Sequence, residues 1–223
     1  MPTRSRERGF TLIEMMVTIA IAAILSAIAA FGLFYGTGHA RLRNGVFQSA
    51  AMLSVAKMRA QSSGLYEYVV VYQDGTDFGL LTVESKSAYA GAEWTAIAAG
   101  TLPPVKDGNP VTETDRLRLS DAGGFGLYPL SGVSAPLAPF QAVPHAGTAT
   151  TPALLAACSF CQAAGGTSAV GVLRFNPEGT VDVPTADTAG GGSLAFAVQD
   201  AKKGSLRPTV IAFSAPFGAV KVY

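Results

Sequence analysis

The residue with the clearest chemical role in this sequence is Glu14, an acid near the start of a long apolar segment. Residues 15–35 follow it without a charged side chain or a proline. About 20 apolar residues suffice to cross a bilayer as a helix, and an acid in such a helix is costly and commonly functional. One helical turn separates Glu14 from Phe10. A cut after Gly9 would therefore place a new amino group within reach of the carboxylate.

Cys158 and Cys161 form a C-x-x-C pair. In an oxidising compartment such as the periplasm this pair favours a local structural disulfide, whose small ring would give limited stabilisation. The alternative is two free thiols, because spacing alone does not determine disulfide geometry. Redox activity would need a cytosolic βαβ unit and zinc binding a second such pair, and the sequence has neither.

The other polar residues do not form a catalytic or metal-binding pattern. His39 and His145 have no metal-ligand set or serine–acid relay near them, so both are interpreted as surface or packing residues. Residues 74–77 lack the ligand run of a calcium loop and are predicted to form a hairpin turn. Residues 190–192 lack the lysine or helix start of a phosphate loop and are predicted to be a flexible turn. We therefore predict no cofactor, no metal and no enzymatic activity.

Hydrophobic periodicity predicts a long N-terminal helix. Apolar residues recur at three-, four- and seven-residue steps up to residue 60, and Gly64 is a natural stop. A helix over residues 10–63 would be about 80 Å long, with its membrane-spanning half at residues 10–35. The glycines at positions 32, 36, 38 and 45 predict bending or local melting, or alternatively close helix packing in the membrane.

After residue 64 the pattern changes to short strands. These are predicted at residues 66–72, 78–84, 117–119, 125–130, 169–175, 180–183, 194–199, 209–214 and 219–223. Residues 131–168 are predicted to be a long loop with a short helix near residues 152–157. The aromatic residues Tyr66, Tyr68, Tyr72 and Trp94 are interpreted as sheet or core packing, with a surface contact patch as the alternative. The pattern predicts an α+β chain with an antiparallel sandwich or folded sheet.

The residues around Glu14 resemble a known processing signal. Residues 9–14, GFTLIE, follow a basic leader and precede the apolar run, as in type IV pilins and type II secretion pseudopilins. In that family a prepilin peptidase cuts after the glycine and methylates the new N-terminal phenylalanine, and the glutamate pairs with a neighbouring subunit's N-terminus. The resemblance implies cleavage between Gly9 and Phe10, methylation of Phe10 and an assembly role for Glu14. The alternatives are an ordinary signal anchor with a chance glutamate, or a cleaved secretory peptide, whose apolar core should be only about 7 to 15 residues long.

Later segments resemble the GspH/FimT-type minor pilins and pseudopilins. They are residues 56–60 (AKMRA), residues 173–179 (LRFNPEG) and the final strand pair within residues 211–223. The resemblance covers the N-terminal third well and the C-terminal third moderately, and the middle does not match. It implies that a C-terminal antiparallel β-sandwich head packs on the C-terminal half of the long helix.

Charge constrains the partners and the topology. The chain carries a net charge of +1, and removal of residues 1–9 takes away three arginines and one glutamate, which leaves −1. A near-neutral head gives no electrostatic reason to expect a polyanionic partner. The basic leader fits a cytoplasmic N-terminus under the positive-inside rule.

Nucleic-acid binding is an alternative, because some FimT-type members bind DNA through a Gly-Arg-x-Arg motif near the C-terminus. Here residues 218–221 are GAVK, which keep the glycine and one basic residue, Lys221. Lys202, Lys203 and Arg207 could add phosphate contacts. Scattered cations on a near-neutral head are more often a solvated face, so we do not predict nucleic acid as a partner.

Together these features predict a minor pilin or pseudopilin, a structural subunit of a type IV pilus or a type II secretion pseudopilus. Its domains would be a leader (residues 1–9), a long helix (residues 10–63) and a periplasmic head (residues 64–223). We expect a single pass through the bacterial inner membrane, followed by a periplasmic or cell-surface filament. The expected partners are other pilin subunits, the prepilin peptidase and the membrane. The alternatives are a DNA-binding competence pilin, a membrane-anchored periplasmic enzyme, and a major pilin, which the resemblance of the C-terminal segments to the GspH/FimT type disfavours.

Overall fold

The computed structural model describes residues 11–99, 102–103, 105–122, 125–133, 152–185, 191–198, 208–215 and 217–223. The chain divides into two compact units. The first ends at Thr37, and the second runs from Gly38 to Tyr223. The boundary falls within the long helix, because residues of its C-terminal half belong to the core of the second unit.

The first helix, α1, spans Leu12–Ser63. Its sequence contains no proline and is rich in alanine, the residue with the highest helix propensity. It ends at the predicted position: Gly64 has a left-handed backbone with φ of +70°, and its N–H donates to the Ala60 carbonyl. The backbone is helical across the four glycines between residues 32 and 45, so the prediction of local melting there is wrong. Each glycine costs about 1 kcal/mol relative to alanine. The residues of high helix propensity among them are Leu33, Ala40, Arg41 and Leu42.

The described part of the second unit contains two antiparallel sheets. The first has the strand order β3-β2-β1-β6-β5, with β7 paired to the end of β6, and the second has the order β10-β9-β8-β4. The strand bounds are β1 Tyr66–Asp74, β2 Asp77–Ser85, β3 Thr112–Arg118, β4 Phe125–Leu127, β5 Cys161–Gly165, β6 Ser168–Phe175, β7 Val181–Asp182, β8 Gly192–Val198, β9 Thr209–Ser214 and β10 Ala219–Val222. The predicted α+β fold, with an N-terminal helix and an antiparallel β head, is confirmed.

The β1–β2 hairpin forms the centre of the first sheet. Its pairing runs from Tyr66 opposite Ser85 to Asp74 opposite Asp77. The turn between them contains Gly75, whose positive φ of +59° is accessible to glycine at little cost. This is the hairpin turn predicted for residues 74–77.

The main hydrophobic core lies between α1 and both sheets. Each buried large aliphatic or aromatic side chain in it contributes about 1.5–3 kcal/mol relative to exposure. The helix contributes residues at steps of three, four and seven, which places them on one face, and Met52 lies beside them. These buried helix residues are Leu42, Val46, Leu53, Ala56 and Ala60, together with Met52.

A second core covers the opposite face of the first sheet. Strand alternation puts Tyr68 and Tyr72 on this face, where the 3₁₀ segment Gly91–Ala99 packs over them and buries Trp94 completely. The alternative of a surface contact patch is therefore wrong for these three aromatic residues. Tyr66 is half-buried near the start of β1, with the Arg174 guanidinium 5.6 Å from its ring centroid.

The middle of the chain contains more regular structure than predicted. A short helix, α2, spans Ala153–Ala157 at the predicted position. The prediction of a loop over residues 131–168 is wrong for β5, which pairs with β6. Its sequence, CQAAG, has weak β propensity, and backbone pairing to a neighbouring strand makes it a strand. Residues 134–151 lie outside the described residues.

Candidate functional site

The N-terminus of α1 is capped by reciprocal hydrogen bonds between Thr11 and Glu14. The Thr11 hydroxyl oxygen accepts a hydrogen bond from the Glu14 N–H at 3.3 Å. In return, the Thr11 amide and hydroxyl both donate to Glu14 Oε2 at 3.3 Å. This is a capping box, in which a Ser or Thr and a Glu or Gln three residues later satisfy amide donors at a helix start. The residues TLIE carry this signal in the sequence alone.

The helix after this cap presents an apolar surface. The segment Leu12–Ala29 is long and apolar enough to cross a membrane, and none of it is buried inside the chain. Leu12 is 79% exposed and Ile19 is 67% exposed. Soluble monomers rarely expose so large a continuous apolar surface, so this segment requires lipid or another apolar surface around it. It lies within residues 10–35, the segment predicted to span the membrane.

Glu14 is the one acid associated with this surface. No Asp or Glu occurs between Met15 and Ser63. Among the described residues its hydrogen bonds come from Thr11, and no cation lies within ion-pair distance of it. An unpaired carboxylate in an apolar environment costs several kcal/mol, so burial of Glu14 demands a positive partner. The predicted processing residues Gly9 and Phe10 lie outside the described residues.

Cys158 and Cys161 are joined by a disulfide, with their Cα atoms 5.5 Å apart. Cys158 is buried, whereas Cys161 is half-buried. In the described part of the chain, no group of three or more His, Cys, Asp or Glu side chains is placed to hold a metal ion. His39 is exposed on α1, and His145 is outside the described residues.

The candidate nucleic-acid residues are only partly described. Lys221 is exposed on β10, and its Nζ lies 4.7 Å from the centroid of the Tyr223 ring. Lys202, Lys203 and Arg207 fall outside the described residues. Of the four cations considered from the sequence, the described structure therefore contains one, in contact with an aromatic ring of its own chain.

One buried acid, Glu67, was not identified from the sequence. It is 1% exposed; the Thr114 hydroxyl donates to its Oε1 at 2.9 Å, and the Arg59 guanidinium lies 3.9 Å from the same atom. Burial raises the pKa of the Glu67 carboxyl, and the contacts with Thr114 and Arg59 offset part of this effect. The sequence feature that could have identified it is strand alternation, which puts residue 67 on the same face as Val69 and Val71 of the main core.

Comparison with known proteins identifies the N-terminal segment. Residues 4–30 match a family model described as the prokaryotic N-terminal methylation motif, the hallmark of the type IV pilin and pseudopilin family. The predicted resemblance to that family is therefore confirmed, and the motif indicates a type IV pilin-like substrate of a prepilin peptidase. The matched range includes the Thr11–Glu14 cap and the exposed apolar segment Leu12–Ala29. No curated protein and no solved structure matches the chain.

Proposed function

We propose that this type IV pilin-like chain is a minor pilin or pseudopilin of the GspH/FimT type, a structural subunit of a type IV pilus or a type II secretion pseudopilus. A prepilin peptidase cuts between Gly9 and Phe10 and methylates Phe10, and the subunit then moves from the inner membrane into a filament. The observation that carries this proposal is the position of Glu14, a single acid at the start of an apolar helix that is unburied from Leu12 to Ala29.

The mechanism is mechanical rather than catalytic. In the membrane, lipid covers the apolar surface of Leu12–Ala29. In the filament, helices of other subunits replace the lipid, and close packing supplies the contact energy because lipid tails are as apolar as the side chains. Packing alone does not define the axial position of a uniform apolar helix. Glu14 defines the axial position, because its charge inside the bundle must pair with a positive group. Every register that leaves this charge unpaired is higher in free energy.

The cap and the ion pair are compatible. Only Oε2 of Glu14 takes part in the hydrogen bonds from Thr11, which leaves Oε1 for an ammonium group. In our proposal that group is the methylated N-terminus of a neighbouring subunit. The cap holds the carboxylate near the helix start, so the partner amine reaches it without an additional rotamer cost.

Two features of the second unit support the periplasmic location and the subtype. The Cys158–Cys161 disulfide is typical of an oxidising compartment. The segment LRFNPEG, which resembles the GspH/FimT type, forms the end of β6 and the turn into β7. Arg174 and Asn176 from this segment both donate to Asp182 of β7, at 2.6 and 2.9 Å. The motif thus has a structural role in this turn, whether the filament is a pilus or a pseudopilus.

The deciding experiment compares E14Q with E14A in the full chain, in the native bacterium. E14Q keeps a side-chain oxygen for the cap and removes the charge, whereas E14A removes both. If the charge pairs with an amine, both variants should lose incorporation into purified filaments by at least about tenfold, because loss of one partner leaves the other charge buried and unpaired.

Two controls complete the experiment. Mass spectrometry of the mature N-terminus should find Phe10 as the methylated first residue in the wild type and in both variants. T18A, which removes a hydroxyl bonded within the exposed part of α1, should incorporate normally. Incorporation of E14Q at the wild-type level would reduce Glu14 to a helix cap, and an intact leader in the wild type would contradict the proposed processing.

A further inference from the structure

The C-terminal half of α1 has an apolar face turned away from its own core. Phe47, Ala51, Val55 and Met58 follow one another at steps of four, four and three residues, so they form one stripe, about 17 Å long. Phe47 is 52% exposed and Met58 is 60% exposed. We call these four residues the outer face. A surface helix normally presents charged residues opposite its core, and this one presents apolar side chains.

One exposed cation, Arg43, borders the outer face. It lies one turn before Phe47, with its guanidinium 5.6 Å from the ring centroid. Lys57 is half-buried and lies about 100° around the helix from Met58. Lys57 Nζ donates to a backbone carbonyl, that of Phe217, at 2.6 Å. Within the described residues neither Arg43 nor Lys57 has a carboxylate partner. An exposed apolar patch with a polar rim is typical of a protein interface, and here the rim carries positive charge.

The charge pattern argues against the same helix of a second copy as the occupant. The 49 residues from Met15 to Ser63 contain no acid, so no stagger between two copies within this range brings a carboxylate to Arg43 or Lys57. In every such stagger Arg43 would meet neutral or positive side chains, and like charges across an interface oppose association. A partner whose apolar stripe is bordered by acids would supply the carboxylate that this helix lacks.

We infer that the outer face of α1 binds a helix of a different subunit, one whose apolar stripe is flanked by Asp or Glu. A helix fits because the stripe is narrow and three turns long, the geometry in which side-chain ridges of one helix enter grooves of another. The inference rests on the proposed function, since it takes the chain to be one subunit of a mixed filament. It specifies the chemistry of the neighbouring subunit and implies that two copies of this chain associate unfavourably along the outer face.

The test is site-specific photo-crosslinking of the full chain in the native bacterium. Phe47 is replaced by p-benzoylphenylalanine, which keeps an aromatic ring at the outer face. Thr167, exposed in the turn between β5 and β6, carries the same probe as a positional control. The expected product from position 47 joins this chain to a different protein. Its crosslinked peptide should lie on an apolar helix with an acid within one turn.

Charge reversal tests the stated chemistry. R43E should lower the yield of this product by roughly three- to tenfold, the range expected for loss of a favourable rim charge and gain of a repulsive one. K86E reverses an exposed lysine outside α1 and should leave the yield unchanged. Equal yields from R43E and K86E would overturn the inference.

Other crosslinked products are equally informative. A product of two copies of this chain, or attachment to lipid alone, would also overturn the inference. Incorporation into filaments is measured in the same cells with and without E14A. If incorporation still depends on Glu14 while position 47 gives only homodimers, the inference falls and the proposed function stands. Loss of that dependence would count against the proposed function itself.

Discussion

Cys158 and Cys161 form a disulfide although their backbones pair with different sheets. Cys158 makes a backbone bridge to Leu194 of β8 in the second sheet, and Cys161 begins β5 and pairs with Gly171 of β6 in the first. Phe160, between them, is buried in the main core. This four-residue segment therefore connects the two sheets by the shortest described route along the chain.

We expect loss of the disulfide to loosen this connection. The double variant C158A/C161A should lower the free energy of unfolding by about 2 kcal/mol, a small value because the closed loop contains few residues. Urea denaturation of the detergent-solubilised full chain measures it. Reductant should destabilise the wild type by a similar amount and leave the double variant unchanged. Equal stability of wild type and variant would show that the bond does not contribute to holding the sheets together.

The buried acid Glu67 predicts a pH dependence with a definite sign. Burial raises the pKa of its carboxyl above the ordinary 4.5, so the folded state binds the proton more tightly than the unfolded state. This stabilisation is fully present below pH 4.5 and is lost as the pH rises through the raised pKa. E67Q cannot ionise and keeps an oxygen to accept the Thr114 hydrogen bond.

We therefore expect the free energy of unfolding of the wild type to fall relative to that of E67Q as the pH rises from 4.5. Above the raised pKa of Glu67 the difference between the two proteins should become constant. Urea midpoints at a series of pH values measure this difference. E178Q, at an exposed acid in the turn before β7, provides the control and should not reproduce the trend. A stability difference between wild type and E67Q that does not change with pH would refute the assignment.

Close packing of α1 on the sheets can be tested with two alanines of one helix. Ala60 is 0% exposed in the main core, whereas Ala51 is exposed on the outer face. Because Ala60 is fully buried, the three additional carbons of A60L must displace packed neighbours, which should cost about 1–3 kcal/mol of stability. A51L should remain within about 0.5 kcal/mol of wild type in the solubilised monomer. Thermal unfolding of the solubilised protein measures the stability of both variants. If A60L and A51L have the same melting temperature, Ala60 does not face a packed core.

Gln73 connects β1 to the start of α2. Its Oε1 accepts the Leu154 N–H at 2.7 Å, and its Nε2 donates to the Gly75 carbonyl at 2.8 Å. Q73L leaves the buried Leu154 amide without this partner and should cost about 1–3 kcal/mol, measured as a shift of the urea midpoint. Q48L, at an exposed position of α1, is the matched control. Equal midpoints for Q73L and Q48L would show that the Gln73 contact is dispensable.

Prediction from the sequence succeeded where the determining contacts were local. The end of α1 at Gly64, the β1–β2 turn and the helix near residues 152–157 depend on nearby residues, and the structure places each of them as predicted. The strand β5 was missed, because its residues resemble a loop and only pairing with β6 makes them a strand. Trp94 had two open interpretations, since a lone tryptophan carries no local sign of burial.

The sequence by itself determined the N-terminal chemistry of this protein. An acid, a capping threonine and a long apolar run are neighbours along one helix, so their spacing follows from the helical period. Only the tertiary structure decided that Glu67 is buried, that the outer face of α1 is apolar while its core face is covered, and that Cys158 and Cys161 link two sheets. These relationships join residues far apart in the chain, and their energies depend on burial and pairing that no local pattern specifies.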